Sequence, residues 1–230
     1  DVFDEARYFD PAAEVETVRL GSDVLGITIC EDAWAESPTW RKPVYDADPV
    51  AELAGRGATI MINISASPFH AGKDAVRHAL LAAHTARHGI PIVFVNQVGG
   101  NDELVFDGDS MLVTPDGRVH SRLPRFEESV AVIDTDAPGT GCDFEAAEET
   151  ESVRDALVTG LRDYVVKCGF STAVVGLSGG IDSALVYTLA AEALGPDNVL
   201  GVTMPSPYSS EGSVEDSRSL AANVGGGFQI

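Results

Sequence analysis

The sequence is short of cysteine, of lysine, of positive charge and of long apolar runs. Its cysteines are Cys30, Cys142 and Cys168, too few and too scattered for a disulfide framework, so a reducing cytoplasm is the expected setting. Basic residues number 15 against 36 acidic ones, a net charge of −21, which argues against a nucleic-acid partner. The lysines are Lys42, Lys73 and Lys167; a salt-adapted source and a GC-rich genome would each leave that bias. No apolar stretch reaches membrane-spanning length, and the start, Asp1-Val-Phe-Asp-Glu-Ala-Arg7, has neither the basic nor the apolar region of a signal peptide, so no membrane partner is expected. What is present is a 44% apolar content over 230 residues, enough to core one large or two modest domains.

Residues 18–30 read as strand, turn and strand, with the turn at Ser22-Asp23, and residues 59–64, 92–95, 110–113 and 129–133 as further strands. Residues 50–56 read as a helix capped by Asp48-Pro49. Residues 72–88 read as a second helix, with Val76, Leu80, Leu81 and Ala83 on its apolar face, ended by Gly89. Pro115-Asp116-Gly117 is a turn between pairing strands. Residues 138–150 lack periodicity and read as an acidic, solvated linker. Behind them the pattern is helix, strand, glycine turn, helix, strand, helix and a last strand beginning at Phe228, which is doubly wound α/β. The division expected is 1–137, a linker 138–150, and 151–230. The stop at Ile230, inside an apparent strand, reads as the end of a fragment.

Ser178-Gly179-Gly180-Ile181-Asp182-Ser183 follows an apolar run that reads as a buried parallel strand, and it opens into a helix. Such a turn is an anion cradle. Gly179 and Gly180 let backbone approach phosphate oxygens, the first helical N–H groups face the ligand, and Ser178 and Ser183 add hydroxyls. Asp182 makes sense beside phosphate if it carries Mg²⁺, which takes one or two carboxylates plus phosphate oxygens. No Gly-Lys-Ser/Thr follows, so this is not a Walker A loop. The pattern resembles the PP-loop of the N-type ATP pyrophosphatases, which implies ATP and Mg²⁺ as the bound species.

Cys30 stands where the buried run Gly26-Ile-Thr-Ile29 meets Glu31-Asp32-Ala-Trp34. A thiol at a strand-to-turn junction can be held in an elbow beside backbone N–H groups, a geometry suited to attack on an amide through a thioester. On its own, a cysteine at the end of a buried strand reads as a packing residue. The segments Thr28-Ile-Cys30-Glu31-Asp32-Ala-Trp34, Asn63-Ile-Ser65-Ala-Ser67-Pro-Phe-His70-Ala-Gly-Lys73, Asn96-Gln97 through Ser110, and Met204-Pro-Ser206-Pro-Tyr208-Ser209-Ser210-Glu-Gly-Ser213 resemble, in order and spacing, the glutamine-dependent NAD⁺ synthetases. That family joins a nitrilase-like glutaminase domain to a PP-loop domain, and the resemblance spans nearly the whole chain.

The resemblance implies a partial nitrilase-like α-β-β-α sandwich followed by a partial doubly wound, Rossmann-like parallel sheet. It implies Cys30 as the nucleophile and Glu31, Ser67 and Lys73 as glutamine-binding residues. It implies Ser178, Gly179, Gly180, Asp182 and Ser183 as ATP-binding, with Asp182 on the metal. Glutamine, deamido-NAD⁺ and ATP are the implied substrates, and a homo-oligomer the implied assembly of the parent protein. The family's general-base glutamate and second catalytic lysine lie upstream of the segment matching Val2 to Arg7, so the 230 residues alone are expected to have little glutaminase activity. Two alternatives stand beside this reading: a nitrilase-type amidase joined to a different PP-loop enzyme, and an inactive remnant. His84 and His88, four apart, read as ordinary helix residues, and Trp34 and Trp40 as anchors of the loop after Cys30.

Overall fold

The computed structural model describes residues 7–10, 12–35, 47–135, 140–208 and 210–230; Trp40 and Ser209 lie outside them. Strands β1 (Thr17–Leu20) and β2 (Asp23–Ile29) form an antiparallel hairpin, turning at Gly21 with φ 63°. Helix α1 (Pro49–Gly55) follows, its N-cap Asp48 accepting from the Ala51 N–H at 3.0 Å, with Pro49 in the first turn where no donor is lost. Then come β3 (Ile60–Ser65), α2 (Lys73–His88) and β4 (Ile92–Asn96). A separate antiparallel hairpin, β5 (Val98–Asn101) with β6 (Leu104–Asp107), precedes β7 (Met111–Val113) and β8 (Val119–Arg122).

The larger sheet runs β1-β2-β3-β4-β7-β8, with β2, β3 and β4 parallel. Its register places Thr28, Asn63 and Phe94 in one row across the sheet, and Ser65 beside Asn96 in the next. On that face α1 and α2 close a core of Val50, Leu53, Met61, Leu81, Phe94, Met111 and Val113. Gly26 is needed there, because a Cβ would stand 2.4 Å from the Met61 sulfur. The alternate residues Ile27, Ile29, Ile64 and Val95 face the other way and are exposed.

The second unit is α3 (Glu149–Lys167), β9 (Ala173–Gly176), α4 (Ile181–Leu194), β10 (Val199–Val202), α5 (Glu211–Val224) and β11 (Gly227–Gln229). Its three strands are parallel in the order β11-β10-β9 around Leu177, Tyr187, Ala190, Ala191, Val199 and Ala221. The fold is α/β throughout, as expected. Helix α3 joins the two units. The Gly100 N–H donates to Asp163 at 2.7 Å, Lys167 Nζ donates to the Gly100 carbonyl, and Arg125 donates to Ser152 Oγ at 3.0 Å.

Four expectations are corrected. Residues 129–133 form no strand: Val130 and Val132 are fully exposed, and alternating valines without a partner strand have no ladder to join. Strand β9 is parallel but sits at the edge of its sheet with Val174 exposed, so it is not buried on both faces. Ala83 is exposed on α2, whereas Asp74, Arg77 and His84 are buried with Leu80 and Leu81. The acidic run after Gly141 is not simply solvated. Cys142 bridges to Val119, Phe144 stacks on His78 with ring centroids 4.3 Å apart, and the Ala147 N–H donates to Asp74 at 2.9 Å. Glu148 then caps α3 by accepting from the N–H groups of Thr150 and Glu151, so part of the run belongs to the helix.

Arg77 is the largest fully buried side chain described. It makes a two-pronged pair with Asp107 at 3.1 and 3.0 Å and lies 3.8 Å from Asp109, which is itself held by Arg122 at 2.6 Å. Removing the guanidinium leaves the buried Asp107 without its ion-pair partner, while Asp109 keeps Arg122. Arg77→Met is therefore expected to lower unfolding free energy by about 3–5 kcal/mol, read as a lower urea midpoint at unchanged slope.

Candidate functional site

Two clusters stand out, each at the carboxyl ends of parallel strands, where open α/β sheets place their ligands. The first is built around Cys30. Strand β2 ends at Ile29, and residues Cys30–Trp34 turn as a single 3₁₀ segment. Cys30 has φ 43°, a left-handed conformation that a non-glycine residue adopts only when its surroundings hold it there. Three contacts fix the turn, one of them on Cys30 itself. Asp32 accepts from the Ile29 N–H at 2.8 Å, His84 Nε2 donates to the Ala33 carbonyl at 2.7 Å, and Asn63 Nδ2 donates to the Cys30 carbonyl at 3.3 Å. Cys30 is partly exposed, not sunk in the core as a packing residue would be.

Glu31 follows within the same turn, also partly exposed. Lys73 opens α2, donates to the Pro68 carbonyl at 3.0 Å and lies 5.7 Å from the centre of the Trp34 ring. Burial holds its ammonium below the usual lysine range, and Arg77 adds to that, while Asp107, Cys30 and Glu31 act in the opposite sense. Cys30 and Glu31 are thus near enough to Lys73 to act on its charge. Ser67 is buried two residues beyond β3. The Asn96 side chain clamps its backbone, accepting from the Ser67 N–H at 2.8 Å and donating to its carbonyl at 3.3 Å. Asn96 also donates to Asp107 at 3.3 Å, so the Ser67 backbone is anchored to the Arg77 pair.

From the sequence alone Asn63, Asn96, Asp107 and Arg77 carry no role, and His84 reads as an ordinary helix residue, whereas it is buried and holds the Ala33 carbonyl. The available signal was polarity in the wrong place: Asn63 inside and Asn96 at the end of apolar strands, and Arg77 on the stripe that buries Leu80 and Leu81. Buried polar groups need partners, and these are their partners.

The second cluster is the turn between β9 and α4. Gly179 has φ 80°, and a Cβ there would meet Ser213 at 2.6 Å, so the start of α5 closes against the glycine. The Ser178 N–H donates to Ser183 Oγ at 3.2 Å, the two hydroxyls lie 3.1 Å apart, and the Gly180 N–H donates to Ser178 Oγ at 3.3 Å. Ser183 Oγ donates to the Gly180 carbonyl at 3.0 Å. Ser178, Gly179, Gly180 and Ser183 are therefore one hydrogen-bonded loop. Helix α4 starts at Gly180 without a side-chain cap, unlike α1, α3 and α5, so its first N–H groups face outward with no carboxylate or hydroxyl cap over them. A cavity of about 240 Å³ adjoins the loop, lined by Gly179, Gly180, Ser183 and Asp216 among others. Asp182 is exposed in the first turn.

These residues suit a magnesium-bound polyphosphate: uncapped amides and two hydroxyls for oxygens, and one carboxylate for the ion. No cluster of three or more His, Cys, Asp or Glu able to hold a metal occurs among the described residues. An ion here would therefore rely on phosphate and water for its other ligands, as magnesium commonly does.

The architecture is that of an α/β chain carrying a thiol elbow in one unit and a hydrogen-bonded glycine turn at an uncapped helix start in the next. Residues 3–141 match the carbon–nitrogen hydrolase model, and the chain belongs to that family. Residues 153–229 match the NAD synthase model. The chain is 45% identical over 98% of its length to a glutamine-dependent NAD(+) synthetase of Synechocystis, and 42% identical over 98% to one of Rhodobacter capsulatus. It spans 41% and 40% of those relatives. It also superposes with TM-score 0.86, at 33% identity, on a glutamine-dependent NAD⁺ synthetase of Acinetobacter baumannii in complex with adenosine diphosphate, covering 99% of this chain and 42% of that one.

The Lys73 shift has a sign that can be tested. Its charged form is disfavoured in the folded chain, so the cost to folding is complete below the folded pKa and disappears as pH climbs from there through the ordinary value of 10.5. Lys73→Met is expected to stabilise the chain at neutral pH, with the difference shrinking at alkaline pH, as measured by urea midpoints. Gly179→Ala places a Cβ against the Ser213 backbone in a left-handed conformation and is expected to cost at least about 1–2 kcal/mol, read in the same way.

Proposed function

We propose that these residues serve a glutamine-dependent NAD⁺ synthetase: residues 1–137 as glutaminase unit, 138–150 as linker and 151–230 as the start of the nucleotide unit. The observation that carries the reading is the strained, partly exposed Cys30 elbow beside Lys73 and Glu31, followed in the same chain by an uncapped phosphate loop. Relatives with that name match both parts in the same order.

In the glutaminase unit, Cys30 Sγ attacks the side-chain amide carbon of glutamine. The C–N bond breaks, nitrogen leaves as ammonia after taking a proton, and water opens the resulting thioester to glutamate. Glu31, Ser67 and Lys73 hold the charged ends of the amino acid. In the nucleotide unit, Ser178, Gly179, Gly180 and Ser183 cradle ATP phosphates and Asp182 holds Mg²⁺, which neutralises the pyrophosphate. The nicotinate carboxylate of deamido-NAD⁺ attacks the α-phosphorus, releasing pyrophosphate, and ammonia then displaces AMP to form the amide. Ammonia in water at neutral pH is mostly protonated and not nucleophilic. Its release and use within one protein preserves the reactive form.

The test uses the protein that carries these residues. Cys30→Ala should abolish NAD⁺ formation from glutamine and leave formation from added ammonia within about twofold of the parent. Asp182→Asn should remove the magnesium-dependent part of ATP binding in a calorimetric titration. Glutamine-supported turnover surviving in Cys30→Ala, or ATP heats indifferent to magnesium, would sink the assignment.

A further inference from the structure

We infer that Asn63 is the positioning residue of the Cys30 elbow: its side-chain amide holds the Cys30 carbonyl down on β3 and so sets the direction in which the thiol leaves β2. The inference rests on the reading of Cys30 as a nucleophile and deepens it.

Asn63 is 2% exposed and sits in mid-strand, where an apolar residue would pack without the cost of burying an amide. All of its hydrogen-bonding ends are used locally. Nδ2 donates to Thr28 Oγ1 at 2.9 Å and to the Cys30 carbonyl at 3.3 Å, and Oδ1 accepts from Ser65 Oγ at 2.6 Å. The amide cannot be turned over, because Oδ1 would then face the Cys30 carbonyl, oxygen against oxygen. Ser65 fixes one end of the amide, and Thr28, its register partner on β2, fixes the other. What remains for the second Nδ2 proton is the carbonyl of the residue at φ 43°.

That contact acts on the backbone of Cys30 and reaches no reacting atom, so Asn63 works through Cys30. A residue held in the left-handed region against its intrinsic preference returns to extended backbone when the restraint is lost. The alternation of β2 then continues one residue further, and the thiol swings away from the Lys73 side. His84 on Ala33 and Asp32 on the Ile29 N–H hold the rest of the turn. Neither reaches the Cys30 carbonyl.

The variants are Asn63→Leu, which keeps the branched shape without donors, and Thr28→Val, which removes the acceptor that holds the amide in line with the Cys30 carbonyl and so loosens that contact. In the protein that carries the chain, Asn63→Leu is expected to lower kcat for glutamine hydrolysis by roughly a hundredfold with KM within about threefold, the pattern of a lost transition-state alignment. Thr28→Val should show a smaller loss in kcat, again with KM kept. Where Asn63→Leu does not fold, Thr28→Val is read by iodoacetamide labelling of the 230-residue chain. Labelling of Cys30 should fall relative to the exposed Cys142 and Cys168 in the same molecule. Unchanged kcat in a folded Asn63→Leu, a rise in KM alone, or unaltered relative labelling in Thr28→Val overturns the inference. Cys30→Ala separates the two levels. If it is inactive with glutamine while Asn63→Leu is normal, only the positioning role fails; if it stays active, the nucleophile assignment fails as well.

Discussion

The guanidinium of Arg77, sealed between α2 and the end of β6, is the constraint on which the first unit is organised. A buried cation is tolerable only with its charge matched and its geometry exact to hydrogen-bond tolerance, and Asp107 meets it with both carboxylate oxygens. The pair gains more than it would at a surface because Asp109 and Arg122 continue the alternation of charge, and the Phe94 ring lies 5.1 Å below the guanidinium. Asn96 then carries the arrangement outward, from Asp107 to both backbone groups of Ser67. The Ser67 backbone is therefore suspended from a fully buried ion pair. To move, this segment has to break two hydrogen bonds to a side chain that is itself anchored on buried Asp107.

The same logic extends to the second unit through the β5–β6 hairpin. Phe106 bridges to Pro68, and the Phe69 N–H donates to the Val105 carbonyl at 2.7 Å, so the hairpin is laced to the segment between Ser67 and Lys73. Its far strand meets α3, where a Cβ on Gly100 would lie 3.2 Å from the Gly160 Cα. Close approach of two glycines lets the backbones touch, and Asp163 and Lys167 lock the Gly100 N–H and carbonyl. One hairpin thus supports the pocket loop on one side and, on the other, the helix that leads into the phosphate turn.

How much of this could be read in advance follows from the range of the forces involved. The glycine turn and the cysteine elbow were legible because both are local: a strand, a break and a helix start within a dozen residues carry their own signature. The caps at Asp48 and the stop at Gly89 were legible for the same reason. Arg77 was not, since its partners lie 30 residues away on a hairpin whose strands, Val98–Asn101 and Leu104–Asp107, are short and glycine-bearing. Residues 129–133 misled in the opposite direction. Their alternation satisfies the local rule for a strand, but a strand exists only with a neighbour to pair with, and none of the described strands takes that place.

On the proposed reading, the glycine turn ahead of α4 shows how a strongly acidic chain would still offer an anion site. A net charge of −21 raises the cost of bringing a polyphosphate near, a cost that falls off over a Debye length of about 8 Å in physiological salt. Within that distance the local groups decide. Helix α4 presents amide dipoles that no side chain caps, the Ser178 hydroxyl lies beside them, and Gly179 removes the one Cβ that would hold α5 away. Asp182, the acidic group in the first turn of α4, is exposed, so it stays hydrated until a cation brings it and the phosphate together. On the proposed reading, a carboxylate in that position would repel the bare nucleotide and attract the magnesium complex, making the sign of local charge a filter for the metal-loaded form. The distributed negative charge then works in the same direction, since it penalises the ligand with the larger net charge most.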